Sequence, residues 1–382
     1  MCAYVFQSPG KIIYGENSVN MVGEQTEKYG RKVMIITGRY SSKKSGALDK
    51  ITDALRAKKL DFIVFDKIES DPGVDTVRQG VKIAREKGIE VIVALGGGST
   101  LDASKAISIV TENGGDIVDY ESKIPDMEGI PIIAVPTTAG TGSEVSKFSV
   151  ITDTERKIKM LISSDFLIPK VAVLDPELTM TMSQGVTAAT GMDAFTHAIE
   201  AYISKAAQPM SDIYAVKAMR IISSNLSKAV LKGDDIEARK NMLIGQMYAG
   251  LAFSNSSTAL VHSMSRPIGA YYGVAHGLAN ALLLTEVMKF NRAACQEKFR
   301  NIARAVGENV DGKSVRESSY MAVESVKNIF LDTGLPTRLR DVGVDKENFK
   351  VMAEDALKSK TTELNPRKPD VKQLVEIYEG IY

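Results

Sequence analysis

The chain carries only three histidines, His197, His262 and His276, and their surroundings point to a metal. His197 stands in residues 191–200 (GMDAFTHAIE), an apolar stretch with helical character. Asp193 lies four residues before it, so the two side chains leave one face of a helix. A carboxylate and an imidazole in such a setting should not be buried unpaired. Either they bond each other, or both face one cation. The other two histidines stand in VHSMSRP (261–267) and GVAHG (273–277). Pro267, Gly269 and Gly273 lie between them, enough for the chain to turn and return His276 to His262. His276 is then expected to open a helix over residues 278–290. One Asp with three His suits a borderline divalent ion, Fe²⁺ or Zn²⁺, with positions left for a substrate oxygen. Glu200, near one turn beyond His197, could orient that histidine but is expected at the exposed surface.

A second chemistry is written in glycine. The apolar run at 91–95 (VIVAL) leads into Gly96-Gly97-Gly98-Ser99-Thr100 and then a helix near Leu101-Asp102. Glycines let the backbone approach an anion closely, and a helix N-terminus offers free N–H groups and a positive dipole end. A comparable loop follows 131–135 (PIIAV): Pro136-Thr137-Thr138-Ala139-Gly140-Thr141-Gly142-Ser143-Glu144. Ligands of open α/β sheets bind at the carboxyl ends of neighbouring strands, so two such loops suggest a dinucleotide. A third loop follows 33–37 (VMIIT). Many NAD enzymes place an acid there for the adenine ribose. Here Gly38 takes that place, followed by Arg39, Tyr40, Ser41, Ser42, Lys43 and Lys44. A 2′-phosphate would be welcome, which favours NADP(H) over NAD(H).

Elements must hold these loops in place. Runs at 33–37, 62–65, 91–95, 131–135 and 171–174 are apolar on both faces, as strands covered by helices on either side should be. Helical patterns at 45–59 and 74–87 alternate with them, giving a doubly wound α/β layer. From about Gly185 strand signals cease. Amphipathic stretches at 187–204, 210–231, 236–253 and 296–306 read as an all-helical domain. The expected division is 1–184, binding the dinucleotide, and 185–382, binding the metal, joined near LDPELT (174–179), with a ligand-binding cleft between them.

With 48 basic and 47 acidic residues, the chain lacks the charge footprint of a nucleic-acid or membrane-surface protein. Its two cysteines, Cys2 and Cys295, stand far apart in no motif, which fits a reducing cytoplasm. The N-terminus MCAYVFQSPGK shows no signal peptide, and no apolar run is long enough for a membrane span.

Taken together, GGGSTLDASKAI (96–107), VPTTAGTGSEV (135–145), ITD (151–153), LDPELT (174–179), TAATGMDAFTHAIEAYIS (187–204), HGLANALLL (276–284) and NPRKPD (365–370) resemble the iron-containing (group III) alcohol dehydrogenase family. The resemblance covers nearly the whole chain. It implies metal binding by Asp193, His197, His262 and His276, with pyrophosphate on Gly97, Gly98 and Ser99. It implies further cofactor contacts at Thr137, Thr138, Thr141 and Lys159, and a homo-oligomer, expected here as a homodimer. The expected reaction is alcohol–aldehyde interconversion by hydride transfer on a small-molecule substrate.

Two departures stand out. Gly38 replaces an acidic residue common in NAD-using members. Arg266 replaces a non-ligand histidine found one turn after the third ligand, which alters the proton path and offers a cation to an anionic substrate. Alternatives on the same fold are a polyol, glycerol-phosphate or semialdehyde-reducing dehydrogenase and a dehydroquinate synthase-like lyase. A silent dinucleotide or metal sensor is the alternative outside catalysis.

Overall fold

A computed structural model describes residues 3–156 and 158–382; Cys2 lies outside the described residues. The chain forms two compact units. The unit Gln7–Thr181 contains strands β1 (Lys11–Tyr14), β2 (Lys32–Gly38), β3 (Asp61–Ile68), β4 (Val91–Gly96), β5 (Ile132–Pro136), β6 (Phe148–Asp153), β7 (Ile158–Ser163) and β8 (Val171–Leu174). Its helices are α1 (Val22–Thr26), α2 (Ser41–Lys44), α3 (Ala47–Ala57), α4 (Val74–Lys87) and α5 (Gly98–Asn113).

Six strands make a parallel sheet in the order β1-β8-β5-β4-β2-β3. The inner strands β2, β4, β5 and β8 are buried on both faces because they supply apolar residues of both parities. Met34, Ile36, Ile92, Ala94, Ile132 and Ala134 pack on one side with Val77, Val81 and Ile107 of α4 and α5. Val33, Ile35, Val91, Val93, Ile133 and Val135 pack on the other with Ile51 and Leu55 of α3. The winding goes from β2 outward to β3, then back across to β4 and β5. The strand order therefore reverses between β2 and β4, the point at which such sheets bind ligands. Gly38 and Gly96 end those two strands.

Three elements were not expected from the sequence. β1 is a four-residue edge strand, and β6 and β7 form a separate antiparallel hairpin. The helix expected at 45–59 is shorter: Gly46, at φ 76°, separates α2 from α3.

The second unit is helical and comprises Met182–Tyr382 with the described residues up to Phe6. Phe6 stacks on Tyr214 at 5.3 Å, and Gln208 donates to the Val5 carbonyl at 2.9 Å. The helices are α6 (Gln184–Ile203), α7 (Pro209–Leu231), α8 (Ile236–Ser254), α9 (Leu260–Tyr272), α10 (His276–Arg292), α11 (Gln296–Ala305), α12 (Val315–Asp332), α13 (Phe349–Leu357), α14 (Lys360–Glu363) and α15 (Val371–Gly380). Their starts are fixed locally: Ser183 caps α6, Asp235 caps α8, and Ser314 and Asp370 form capping boxes with Glu317 and Gln373. The turn between His262 and His276 occurs at Gly273, at φ 66°, while α9 runs on through Pro267. Among the described residues, no helix is long and apolar enough to cross a membrane.

Candidate metal centre and cofactor loops

Three helices of the second unit bring the histidines to one aspartate. Asp193 and His197 sit one turn apart on α6, His262 on the first turn of α9, and His276 is the first residue of α10. Nε2 of His276, His262 and His197 lie 3.7, 3.9 and 4.0 Å from Asp193 Oδ1. The ligand atoms of Asp193, His262 and His276 all fall within 4.8 Å of one another, and His197 stands just outside that group. His276 reaches Asp193 because its neighbour is glycine. A Cβ on Gly277 would meet the Ala189 carbonyl oxygen at 2.4 Å, so a larger residue would lift α10 off α6. Asp193, His197 and His262 are buried, whereas the His276 side chain is 41% exposed and marks the open side.

Two further residues, Glu200 and Asn280, complete the cluster. Glu200 is buried rather than exposed, and it serves His262 rather than His197. Its Oε2 meets His262 Nδ1 at 2.6 Å and accepts from the Ala259 N–H at 3.0 Å; its Oε1 accepts from the Val261 N–H at 2.5 Å. A carboxylate at the N-terminus of α9 is favourable there, because it answers free N–H groups. Burial pushes the Glu200 carboxyl up to about 7, against the pull of those N–H donors. Burial also holds His262 well below the usual imidazole value, with the His197 and Arg266 charges adding to it, so a neutral ring is favoured.

Asn280 lies one turn after His276 on α10 and is fully buried. Its Nδ2 donates to Asp193 Oδ1 at 2.7 Å and stands 3.1 Å from His276 Nε2 and 3.3 Å from His262 Nε2. Two amide hydrogens cannot satisfy three converging acceptors. Nδ1 of His197 and Oδ1 of Asn280 are buried without a partner among the described residues. A centre rich in lone pairs and poor in protons is one that a divalent cation stabilises, and this donor set fits such an ion. A polar residue four places after His276 in an otherwise apolar run was the signal for Asn280; Glu200, three places before the end of α6, was singled out by its spacing from His197, but the histidine it meets is His262.

The sequence-expected cofactor residues gather in the first unit. α5 starts at Gly98, immediately after β4. A Cβ on Gly98 would lie 2.5 Å from Thr141 Cγ2, and one on Gly97 would lie 3.2 Å from Thr138 Oγ1. The two loops therefore touch, and glycine permits that approach. The Thr137 N–H donates to the Gly96 carbonyl at 3.0 Å. Asp102 and Lys105 of α5 anchor the chain between the hydroxyl loop and β6. Asp102 accepts from Ser143 Oγ at 2.6 Å and the Val150 N–H at 3.0 Å, and Lys105 donates to the Ser146 and Phe148 carbonyls at 2.8 Å. Burial pushes Lys105 down to about 8 and raises Asp102. Lys159 pairs with Asp71 at 2.7 Å, and the Asp71 N–H meets Ser99 Oγ at 3.3 Å, so these two also belong to one region.

The loop after β2 differs from its expected cationic character. β3, pairing with β2, brings acids to it: Lys43 meets Asp66 at 2.5 Å, and Arg39 lies 3.9 Å from Glu69. Arg39 keeps over half of its side-chain surface exposed. Ser41 opens α2 beside Gly38.

Comparison with known proteins gives the family. The profile of the iron-containing alcohol dehydrogenase family matches residues 9–176, and that of the C-terminal part of the Fe-containing alcohol dehydrogenase family matches residues 187–382. The chain is 40% identical over 377 residues to 1,3-propanediol dehydrogenase of Citrobacter freundii, covering 98% of this chain and 97% of that one. It is 37% identical to NAD-dependent methanol dehydrogenase of Bacillus methanolicus, covering 98% and 99%. The crystal structure of a 1,3-propanediol oxidoreductase superposes with a TM-score of 0.97 at 38% identity, covering all of both chains. With both halves matched, the chain belongs to the iron-containing alcohol dehydrogenase family and is an oxidoreductase of alcohols and aldehydes.

Proposed function

We propose that the protein interconverts small alcohols and aldehydes by hydride exchange with NADP(H), using one Fe²⁺ or Zn²⁺ held by Asp193, His197, His262 and His276. The observation that carries this reading is the convergence of four ligand groups on a proton-poor centre beside an open histidine. When bound, the cation would supply Lewis acidity toward a substrate oxygen. The chain's residues set the conditions for that. Glu200 accepts the Nδ1 proton of His262, which leaves Nε2 as the lone pair facing Asp193. Asn280 fixes the Asp193 carboxylate. Gly96, Gly97, Gly98 and Ser99, with Thr137, Thr138, Thr141 and Lys159, are proposed to hold the dinucleotide, and Gly38, Arg39 and Ser41 its adenosine end. The two units are proposed to divide the work: Gln7–Thr181 for the dinucleotide and Met182–Tyr382 for the metal, against the 1–184 and 185–382 expected from the sequence.

A cytoplasmic homodimer is also proposed. Support for the dimer is the exposed apolar side chains of the helical unit at Tyr4, Val5, Met210 and Ile213.

The test is metal removal. Anaerobically purified protein should reduce or oxidise nicotinamide with 1,3-propanediol or its aldehyde. A chelator should take that turnover to background, and Fe²⁺ or Zn²⁺ should restore it. Full turnover by protein shown to contain no metal contradicts the proposal. Zn²⁺ outranks Fe²⁺ in intrinsic affinity, and no thiolate is present to alter the order, so zinc is expected in aerobic preparations.

Glu200→Gln is expected to weaken metal affinity about 10–100-fold, the usual cost of losing a partner that orients a ligand histidine. Competition with a calibrated chelator measures it, independently of activity. An unchanged metal Kd would leave Glu200 as packing only.

A further inference from the structure

Burying a cation without a counter-charge is costly, and natural proteins pair such groups. Arg266 is largely buried on α9, one turn after His262, and the structure gives it no such pair. Its one hydrogen bond among the described residues runs from Nη1 to Ser359 Oγ at 3.0 Å. Among the described residues no carboxylate lies within ion-pair distance of it. Glu200 acts on it from further away, but both Glu200 oxygens are taken by His262 and backbone N–H groups. Nε and Nη2 of Arg266 make no hydrogen bond among the described residues and are not fully buried. The group is also held in place. Ser359 Oγ meets Thr361 Oγ1 at 2.9 Å, and Thr361 meets Ser263, the neighbour of His262, at 2.7 Å. A fixed planar fork with unused donors, one turn from a candidate metal ligand, matches a carboxylate better than it matches water.

We infer that Arg266 binds a carboxylate carried by the substrate, so that the preferred aldehydes and alcohols are short-chain acids. The inference rests on the alcohol–aldehyde reading above. One helical turn, about 5–6 Å, separates the two side-chain origins. That suits an aldehyde acid of three or four carbons in all, with one or two carbons between its carbonyl and its carboxylate. Arginine stays protonated near neutrality and moves no proton here. Its part is to bind and orient, while the hydride and proton balance of the reaction is unchanged.

The experiment compares succinic semialdehyde with butyraldehyde, of equal chain length, on the metal-loaded enzyme. A charged bond predicts a kcat/KM ratio of about tenfold or more in favour of the acid. Arg266→Gln, which keeps a donor for Ser359, should bring that ratio to about one, with the loss in KM. Succinate, which cannot react, should bind the wild-type enzyme in calorimetry and lose that binding in Arg266→Gln. Equal efficiency on the two aldehydes overturns the inference while leaving the function standing. No turnover of any aldehyde or alcohol overturns the function, and succinate binding then decides on Arg266 alone. A variant that loses NADPH affinity tenfold while keeping the aldehyde ratio would assign the guanidinium to cofactor phosphate and also overturn the inference.

Discussion

His276→Ala is expected to lower kcat/KM for every alcohol and aldehyde by about 10³-fold or more while leaving the fold intact. The magnitude comes from the Lewis acidity a bound cation supplies, several kcal/mol, at about 1.4 kcal/mol per factor of ten. The stability half comes from position. His276 is the first residue of α10 and partly exposed, so truncating it creates little cavity. His262→Ala should be equally inactive but less stable. Its imidazole is buried, and removing it leaves Glu200 Oε2 with only backbone donors inside the unit. A buried polar group losing a partner costs about 1–3 kcal/mol. Thermal melts with and without added Fe²⁺ or Zn²⁺ separate the two effects. Wild-type protein should gain Tm with metal, because a ligand that binds only the folded state stabilises it. His276→Ala should start from the same metal-free Tm and lose most of that gain. If its turnover falls less than tenfold under saturating metal, His276 is not a ligand.

The sequence announced some of this site and concealed the rest for a physical reason. Three histidines in a chain that has no others are conspicuous, and Asp193 is tied to His197 by helical period alone. Glycine loops at strand ends announce themselves because their backbone chemistry is local. The inner strands of the parallel sheet were legible because both faces are apolar, whereas β1 (KIIY) has exposed polar ends and β6 and β7 are too evenly mixed to stand out. The illegible part depends on contacts across distance. Glu200 reads as a surface residue until α9 is placed with its N-terminus against α6, 59 to 62 residues later in the chain. The basic loop after β2 reads as uncompensated until Gly38 is registered opposite Ile68 and β3 delivers Asp66 and Glu69. In both places the missing partner was an acid supplied by another element, and charge read locally overstated the free cationic character.

That correction sharpens the expectation for Gly38→Asp, which should swing the ratio of kcat/KM for NADPH over NADH by about 10²-fold toward NADH. Nothing in the backbone demands glycine at this position. Its φ is not left-handed, and a Cβ would meet the Ile68 carbonyl oxygen at 3.7 Å and Ser41 Oγ at 3.9 Å, both ordinary contacts. Aspartate therefore fits without strain, and the change in preference would be electrostatic. A carboxylate there would accept from ribose hydroxyls and repel a 2′-phosphate. Two charges about 4 Å apart near a protein surface interact by up to about 4 kcal/mol before screening. Losing about 2–3 kcal/mol of that contrast gives the hundredfold swing. Arg39 is the group to watch, because Glu69 holds it only at 3.9 Å and leaves its side chain exposed. Lys43, in contact with Asp66, is already committed. Arg39→Ala should thus weaken NADPH about tenfold and NADH little, while Lys43→Ala should change the ratio less. Steady-state kinetics with both cofactors, at saturating metal and matched ionic strength, read all three variants. Wild-type efficiency with NADH equal to or above that with NADPH overturns the expected preference.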